Sequence, residues 1–359
     1  MALHVRGVVL PGDEVRDVYL VGDRVTFEPV PGAETVASGG FVLPGLVDAH
    51  CHIGIRPGSA PVESVDEARA LAMLDRDAGV LAMRDAGSPY PYPELDDDPE
   101  MPRLSRAGTH IAPPRRYLRG LFTETPAEEL TSRVLEQARA GNGWVKIVAD
   151  WIDRETGDLG PTYDFDTLKA AVDMAHRAGA RVAVHTFDEK AVEACVRAGA
   201  DSIEHGTGLT VELAETMASE GAALVPTMIN VETFEGIAAR ADGKFPAYAA
   251  HMRRLQAGFP EVVRAAYESG AQIFAGTDAG GGIDHGLLAE EMMLLHEKAG
   301  MRAVDVLAAA SWRARAWLGL PGLVEGGFAD LVVYESDPRE DLSVVRTPSR
   351  VVLRGRVVR

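Results

Sequence analysis

His50 and His52 stand two residues apart at the end of an apolar run that begins at Phe41 and passes through Pro44-Gly45. On a strand, residues i and i+2 face the same side, so the pair offers two imidazoles to one point, which is half of a metal site. Further ligand types recur at the ends of other apolar segments: Lys146 within Trp144-Val145-Lys146-Ile147-Val148, His185 after Val182-Ala183-Val184, His205 after Ile203-Glu204, and Asp278 after Ile273-Phe274-Ala275. Each taken alone reads equally well as a hydrogen-bonded core histidine or a turn-capping aspartate; their recurrence at strand ends favours a metal centre. Lys146 adds a specific chemistry. An ammonium inside an apolar strand is desolvated, which lowers its pKa. The neutral amine reacts with carbon dioxide to give a carbamate, an anionic oxygen ligand that bridges two cations. Such a constellation holds two divalent ions about 3.5 to 4 Å apart, sharing a hydroxide. The competing reading of Lys146 is a rim lysine paired with Asp150 or Asp153.

The segments that must position these residues repeat one pattern: an amphipathic helix, a glycine stop, then a short buried strand. It is read at Asp77-Ala78-Gly79-Val80, Arg177-Ala178-Gly179-Ala180, Arg197-Ala198-Gly199-Ala200, Glu220-Gly221-Ala222 and Ser269-Gly270-Ala271. Glycine suits the left-handed residue that ends a helix, and alternating helices and strands imply a parallel sheet. Eight strands are expected, ending near His52, Asp85, Thr109, Val148, His185, His205, Thr227 and Asp278. This α/β pattern predicts a (β/α)8 TIM-like barrel over residues 44–320, with the site at the C-terminal strand ends. A doubly wound sheet would need a glycine-rich phosphate turn after its first strand, and none is there. Thr186-Phe187-Asp188-Glu189 has capping-box form and places a helix start just beyond His185. Residues 1–43 alternate as a small antiparallel β unit, and a matching texture over 321–359 predicts a small β-sandwich domain formed from both chain ends.

Composition bounds the function. The 359 residues carry a formal charge of −18, with 46% hydrophobic and 25% charged residues. That balance disfavours nucleic acid, which needs concentrated Lys and Arg, and suits a small-molecule substrate. Cys51 and Cys195 are too few for a disulfide scaffold. The N-terminus lacks a signal-peptide core and no window is apolar enough for a membrane helix, so the chain is read as cytoplasmic, with no membrane partner. Its apolar fraction is compatible with a homo-oligomer.

Several of these pieces together resemble the amidohydrolase superfamily, and the resemblance covers almost the whole chain. They are Phe41-Val42-Leu43-Pro44-Gly45-Leu46-Val47-Asp48-Ala49-His50-Cys51-His52, Val145-Lys146-Ile147, Ser202-Ile203-Glu204-His205-Gly206, Ala275-Gly276-Thr277-Asp278-Ala279-Gly280 and the closing Gly326-Gly327-Phe328-Ala329-Asp330-Leu331-Val332. The lysine on strand four and the Ile-Glu-His-Gly on strand six are most similar to the branch of imidazolonepropionase and the metal-dependent Xaa-Pro and Xaa-Arg dipeptidases. Imidazolonepropionase lacks that lysine, which favours the dipeptidase side. The resemblance implies hydrolysis of a C–N bond, in an amide, a lactam or a dipeptide-like molecule. It implies two divalent ions, zinc being the expected metal. His50, His52, Lys146 and Asp278 would hold the more buried one. Lys146, as N6-carboxylysine, would share the second with His185 and His205, and Asp278 would be the general acid and base. After strand seven the chain departs from the dipeptidases: Met228-Ile229-Asn230 stand where a Tyr is usual, which weakens the case for a peptide substrate. Arg115 and Arg116, in the loop after strand three, have the chemistry to hold a substrate carboxylate, while His110 and His285 lie near expected strand ends. Two other readings are a mononuclear deaminase of a cyclic amidine, against which Lys146 counts, and a non-catalytic binding protein, for which a missing ligand would speak.

Overall fold

The structure, a computed structural model, describes residues 2–359. Leu46–Cys51 is buried at every position and pairs in parallel with Val80–Asp85, which in turn pairs in parallel with Arg103–Arg106. A seven-stranded sheet follows, in the order Phe122–Glu124, His110–Ala112, Trp144–Val148, Arg181–Thr186, Ser202–His205, Ala223–Val225, Gln272–Ile273. Its ladders are parallel throughout. Strands covered on both faces read as unbroken apolar runs, as parallel sheets require. The two sheets touch at both margins. Ala107 bridges Trp144, Cys51 bridges Ala279, and the Ala49 amide donates to the Ala275 carbonyl at 2.9 Å.

Helices cover the strands, with their ends where cap chemistry puts them. Ser64 caps Val65–Asp77, Asp164 caps Phe165–Arg177, and left-handed Gly199 and Gly221 close Glu189–Ala198 and Val211–Glu220. The expected capping box is displaced: Asp188 is the cap, accepting from the Ala191 amide at 3.0 Å, while Thr186 still belongs to its strand and donates to the Glu204 carbonyl. Two strands also differ from expectation. The third is split into Arg103–Arg106 and His110–Ala112, and the eighth contracts to Gln272–Ile273, after which the chain follows Leu46–Cys51 through single bonds such as Asp278 N to His50 O at 2.7 Å.

The chain ends share a second seven-stranded sheet, ordered Arg356–Val357, Arg350–Leu353, Leu331–Tyr334, Glu34–Pro44, Ala2–Val9, Val15–Val21, Arg24–Thr26. The expected antiparallel unit is only partly so, because Ala2–Val9 runs parallel to Glu34–Pro44. Pro29 and Pro31 cannot donate to a ladder, so the chain leaves the hairpin and returns on the other side. Glu34–Pro44 runs straight on into Leu46–Cys51 with only Gly45 between them, and a Cβ on Gly45 would lie 2.5 Å from the Leu81 side chain. Buried Asp330 joins the two regions, accepting from Arg103 at 2.5 Å, Arg315 at 3.0 Å and the Arg354 amide at 2.9 Å. Among the described residues no helix is long and apolar enough to cross a membrane.

Candidate metal centre

His50 and His52 leave the end of Leu46–Cys51 on one side, their Nε2 atoms 3.2 Å apart, and Asp278 Oδ1 lies 3.1 and 3.0 Å from them. The opposite ring nitrogens fix the tautomers. His50 Nδ1 donates to Glu204 Oε2 at 2.5 Å and His52 Nδ1 to the Gly87 carbonyl at 2.7 Å. Both Nε2 lone pairs, with a carboxylate oxygen, therefore converge on one point, an arrangement that repels itself unless a cation sits there. A second pair lies beside it: His205 Nε2 faces His185 Nδ1 at 3.0 Å, with His205 Nδ1 against Thr227 Oγ1 at 2.7 Å. His185 Nε2 points toward Asp150 Oδ1, 4.0 Å away, and neither atom has a hydrogen-bond partner. Burial lowers the pKa of His50, His185 and His205, the last to about 3, and so keeps these rings in the neutral form that binds metal. Burial opposes ionisation of Asp278 too, but its contacts with His50 and His52 hold it well below the usual carboxylate range.

Lys146 is 1% exposed, and its Nζ has no hydrogen-bond partner. Neither Asp150 nor Asp153 pairs with it: Asp150 accepts from the Phe187 and Asp188 amides, and Asp153 meets Arg116. Its charge acts on His50, His110, His185 and His205 alike, so it lies near both histidine pairs. Burial lowers its pKa to about 8, against the opposing pull of Glu204, so a reactive share of free amine exists near neutral pH. An orphaned, buried amine near two groups of converging lone pairs fits a carbamate ligand to cations.

The backbone is bent to make this site. His205, Thr227 and Asp278, at the ends of successive strand segments, have φ of 63°, 47° and 59°. Side chains pay for that conformation with strain of order 1 to 3 kcal/mol each, and it collects at functional positions. Regular strand geometry would send Glu204 and His205 to opposite faces. The left-handed turn at His205 breaks that alternation, so Glu204 orients His50 while His205 meets His185. Glu204 also accepts from Arg84 at 2.7 Å, and Arg84 stacks 4.7 Å over Trp144 beneath the site.

The other residues singled out in the sequence part company. His110 is fully buried beside the centre, its ring 5.0 Å from His52 and 5.2 Å from Tyr117, with neither nitrogen hydrogen-bonded. His285 is instead bound to Asp75 at 2.6 Å and is absent from the cavity walls. Arg116 is spent on the Asp150–Asp153 and Asp158–Pro161 hairpin, donating to the carbonyls of Trp151 and Gly160 and to Asp153. Arg115 faces a different hollow, shared with Arg119 and Arg154. Both arginines sit at a loop whose path sequence does not reveal. His251 bridges Asp158 and Glu189; with Asp188 it forms a second cluster of ligand types, but Arg254 pairs with Glu189 there, which makes it an ion-pair network. Tyr117, Trp151 and Phe187 were not anticipated. With His52, His185 and Asp278 as floor, they wall a cavity of about 630 Å³. A hollow of about 720 Å³ between the chain-end strands contains none of the candidate ligands.

The Amidohydrolase family matches residues 41–358. An uncharacterized protein of Mycobacterium tuberculosis (strain ATCC 25618 / H37Rv) is 50% identical over 355 residues, covering 99% of this chain and 95% of that protein. Ochratoxinase of Aspergillus niger is 27% identical over 231 residues, 62% of this chain and 47% of its own length. Among solved structures, a Xaa-Pro dipeptidase with bound methionine superposes with a TM-score of 0.83 at 23% identity, over 99% of both chains. The mixed α/β fold with its parallel sheets matches that of these structures, and with a family match over residues 41–358 the chain belongs to the amidohydrolase family.

Proposed function

We propose that this protein is a binuclear metal-dependent hydrolase that cleaves a C–N bond, in an amide or lactam, of a small molecule. The observation that carries this reading is the pair of converging lone-pair sets, His50–His52–Asp278 and His185–His205, with the buried, unpartnered Lys146 Nζ near both. His50, His52 and Asp278 would hold one divalent ion, His185 and His205 the other, and Lys146 as N6-carboxylysine would bridge them; nitrogen and carboxylate donors suit zinc. When bound, such ions polarise a carbonyl and bring the pKa of water from ~15.7 toward ~7. The chain's own residues do the rest. Asp278, held as a carboxylate, takes a proton from the attacking water and returns it to the leaving nitrogen. Glu204 and the Gly87 carbonyl fix the two imidazole tautomers. His110, buried beside His52 with both nitrogens uncommitted, would be the donor to the substrate carbonyl. Tyr117, Trp151 and Phe187 exclude water above the floor. The two strand sets, joined at both margins, are read as a closed (β/α)8 barrel over 44–320, and the terminal sheet, whose Gly22 and Gly355 turns approach each other, as a β-sandwich of 1–43 and 321–359.

The test is metal content per chain, by elemental analysis of protein purified without chelator in 13C-bicarbonate, with the carbamate carbon sought by NMR. Near two ions per chain and a carbamate signal that Lys146→Met removes are expected, with turnover in a screen of N-acyl amino acids, dipeptides and lactams. One ion and no carbamate would overturn the binuclear reading and redirect the screen to ammonia release from cyclic amidines.

A further inference from the structure

Glu291, on the helix Leu288–Glu297, is fully buried, and both of its oxygens are committed. Oε1 accepts from the Met228 amide at 3.0 Å and Oε2 from the Ile229 amide at 2.8 Å. Those amides open the one-turn helix Met228–Val231, whose first N–H groups find no partner within it. Burial pushes the Glu291 carboxyl up to about 8, and the two amides pull the other way. Each oxygen meets an N–H donor, so the place is built for the anion. Thr227, just before these amides, is left-handed at φ 47° and lies beyond the end of its strand Ala223–Val225. A threonine holds that conformation only where its surroundings impose it. Its carbonyl accepts from the Asn230 amide at 2.9 Å, and the two peptide N–H groups that follow it are pinned by Glu291. Its hydroxyl meets His205 Nδ1 at 2.7 Å, and Nε2 of that ring faces His185. The same turn carries Asn230 into the cavity wall.

A path of buried contacts therefore runs from Glu291, which touches no candidate ligand, to the ring of His205. We infer that Glu291 is a positioning residue for the His185–His205 pair. By pinning the Met228 and Ile229 amides it sets the Thr227 hydroxyl, which keeps the proton of His205 on Nδ1 and fixes the angle of the ring. The inference rests on that pair being the seat of the second ion. It gives the two halves of the floor separate supports: Glu204 orients His50 directly, whereas His205 depends on a carboxylate acting through Thr227. Gln in place of Glu291 keeps the shape, but it loses one acceptor and sets an NH2 group against an amide N–H.

In the experiment, zinc-loaded protein is titrated with a chromophoric chelator, so that the ions leave in steps; the step of the second ion is the one that His205→Asn abolishes. Glu291→Gln is expected to weaken that step by about 10- to 100-fold, the range for losing the partner that orients a ligand, and to leave the other step as it is. Glu291→Asp, which keeps the charge, recovers part of the loss. Thr227→Val, which removes the hydroxyl at nearly constant shape, gives the same weakening, and Thr227→Ser does not. In the Thr227→Val background Glu291→Gln adds nothing further, because both act along one path. Equal weakening of both steps, losses that add in the double variant, or an unchanged second step overturns the inference. A second readout does not depend on the ion count: the Nδ1 proton of His205 in protein with 15N-labelled histidine, assigned by its absence in His205→Asn. Its signal is expected to be sharp in the wild type and broadened by exchange with water in Glu291→Gln and Thr227→Val alike. A signal that Glu291→Gln leaves sharp overturns the inference. A wild type that holds one ion overturns the binuclear reading alone, and the proton signal then decides the part of Glu291.

Discussion

At the scale of single residues, the candidate site depends on groups outside its converging His and Asp atoms. Glu204 is buried between Arg84 and His50, and the pull of Arg84 and His50 outweighs its burial and keeps it charged. Glu204→Gln leaves Arg84 uncompensated, and breaking a buried pair from one side costs about 3 to 5 kcal/mol. A urea midpoint lowered to that extent is expected, together with metal affinity weaker by about 10- to 100-fold as His50 loses its orienting carboxylate; an unchanged midpoint would remove Glu204 from this role. Here the sequence was legible only in part. His50, His52 and Asp278 could be marked as candidate ligands from their place at the ends of apolar runs, and the structure brings them together. The job of Glu204 could not, because its partner Arg84 lies 120 residues away and nothing local marks either as paired.

At the scale of elements, the strands and helices were legible because their signals are local: glycine stops, capping side chains and unbroken apolar runs. The eighth strand was harder. It has two ladder residues, and Ala275 to Asp278 is held against Leu46–Cys51 by separate hydrogen bonds. Gly276 permits that approach, since a Cβ there would lie 2.5 Å from Val225 Cγ1 and 2.8 Å from the His50 amide nitrogen. Gly276→Ala is expected to cost about 1 to 3 kcal/mol of stability through overpacking. It should also lower metal occupancy by displacing Asp278 from His50, with the far-ultraviolet circular dichroism retained. Full occupancy in the variant would show that the segment tolerates the shift. The walls of the cavity were the least legible part. Tyr117 and Trp151 sit on a loop and a hairpin with no periodicity to read, and their placement follows from Arg116 binding carbonyls of a distant turn.

At the scale of the molecule, Asp330 ties the terminal sheet to the layer of strands and helices that holds the site. Burial favours its neutral acid, but Arg103 and Arg315 together hold its folded pKa below the unfolded value of 3.8. A depressed folded pKa gives stability that is fully present above the unfolded value and is lost as pH falls through the folded one. The stability difference between the wild type and Asp330→Asn is therefore expected at about 3 kcal/mol near pH 7 and to shrink on acidification below the usual carboxylate range. Denaturant melts at pH 7 and pH 3 check this; a gap that does not narrow would mean that Asp330 acts through shape alone. The same sheet has a consequence for how the protein is made. Glu34–Pro44 pairs on one side with Ala2–Val9 and on the other with Leu331–Tyr334, from the far end of the chain. While the ribosome is still at work, one edge of that strand stays open, and the strand leading directly to His50 and His52 cannot be locked in place. Completion of the nascent chain and fixing of the His50–His52 strand are thus a single event, and a chain released early would expose an unpaired edge.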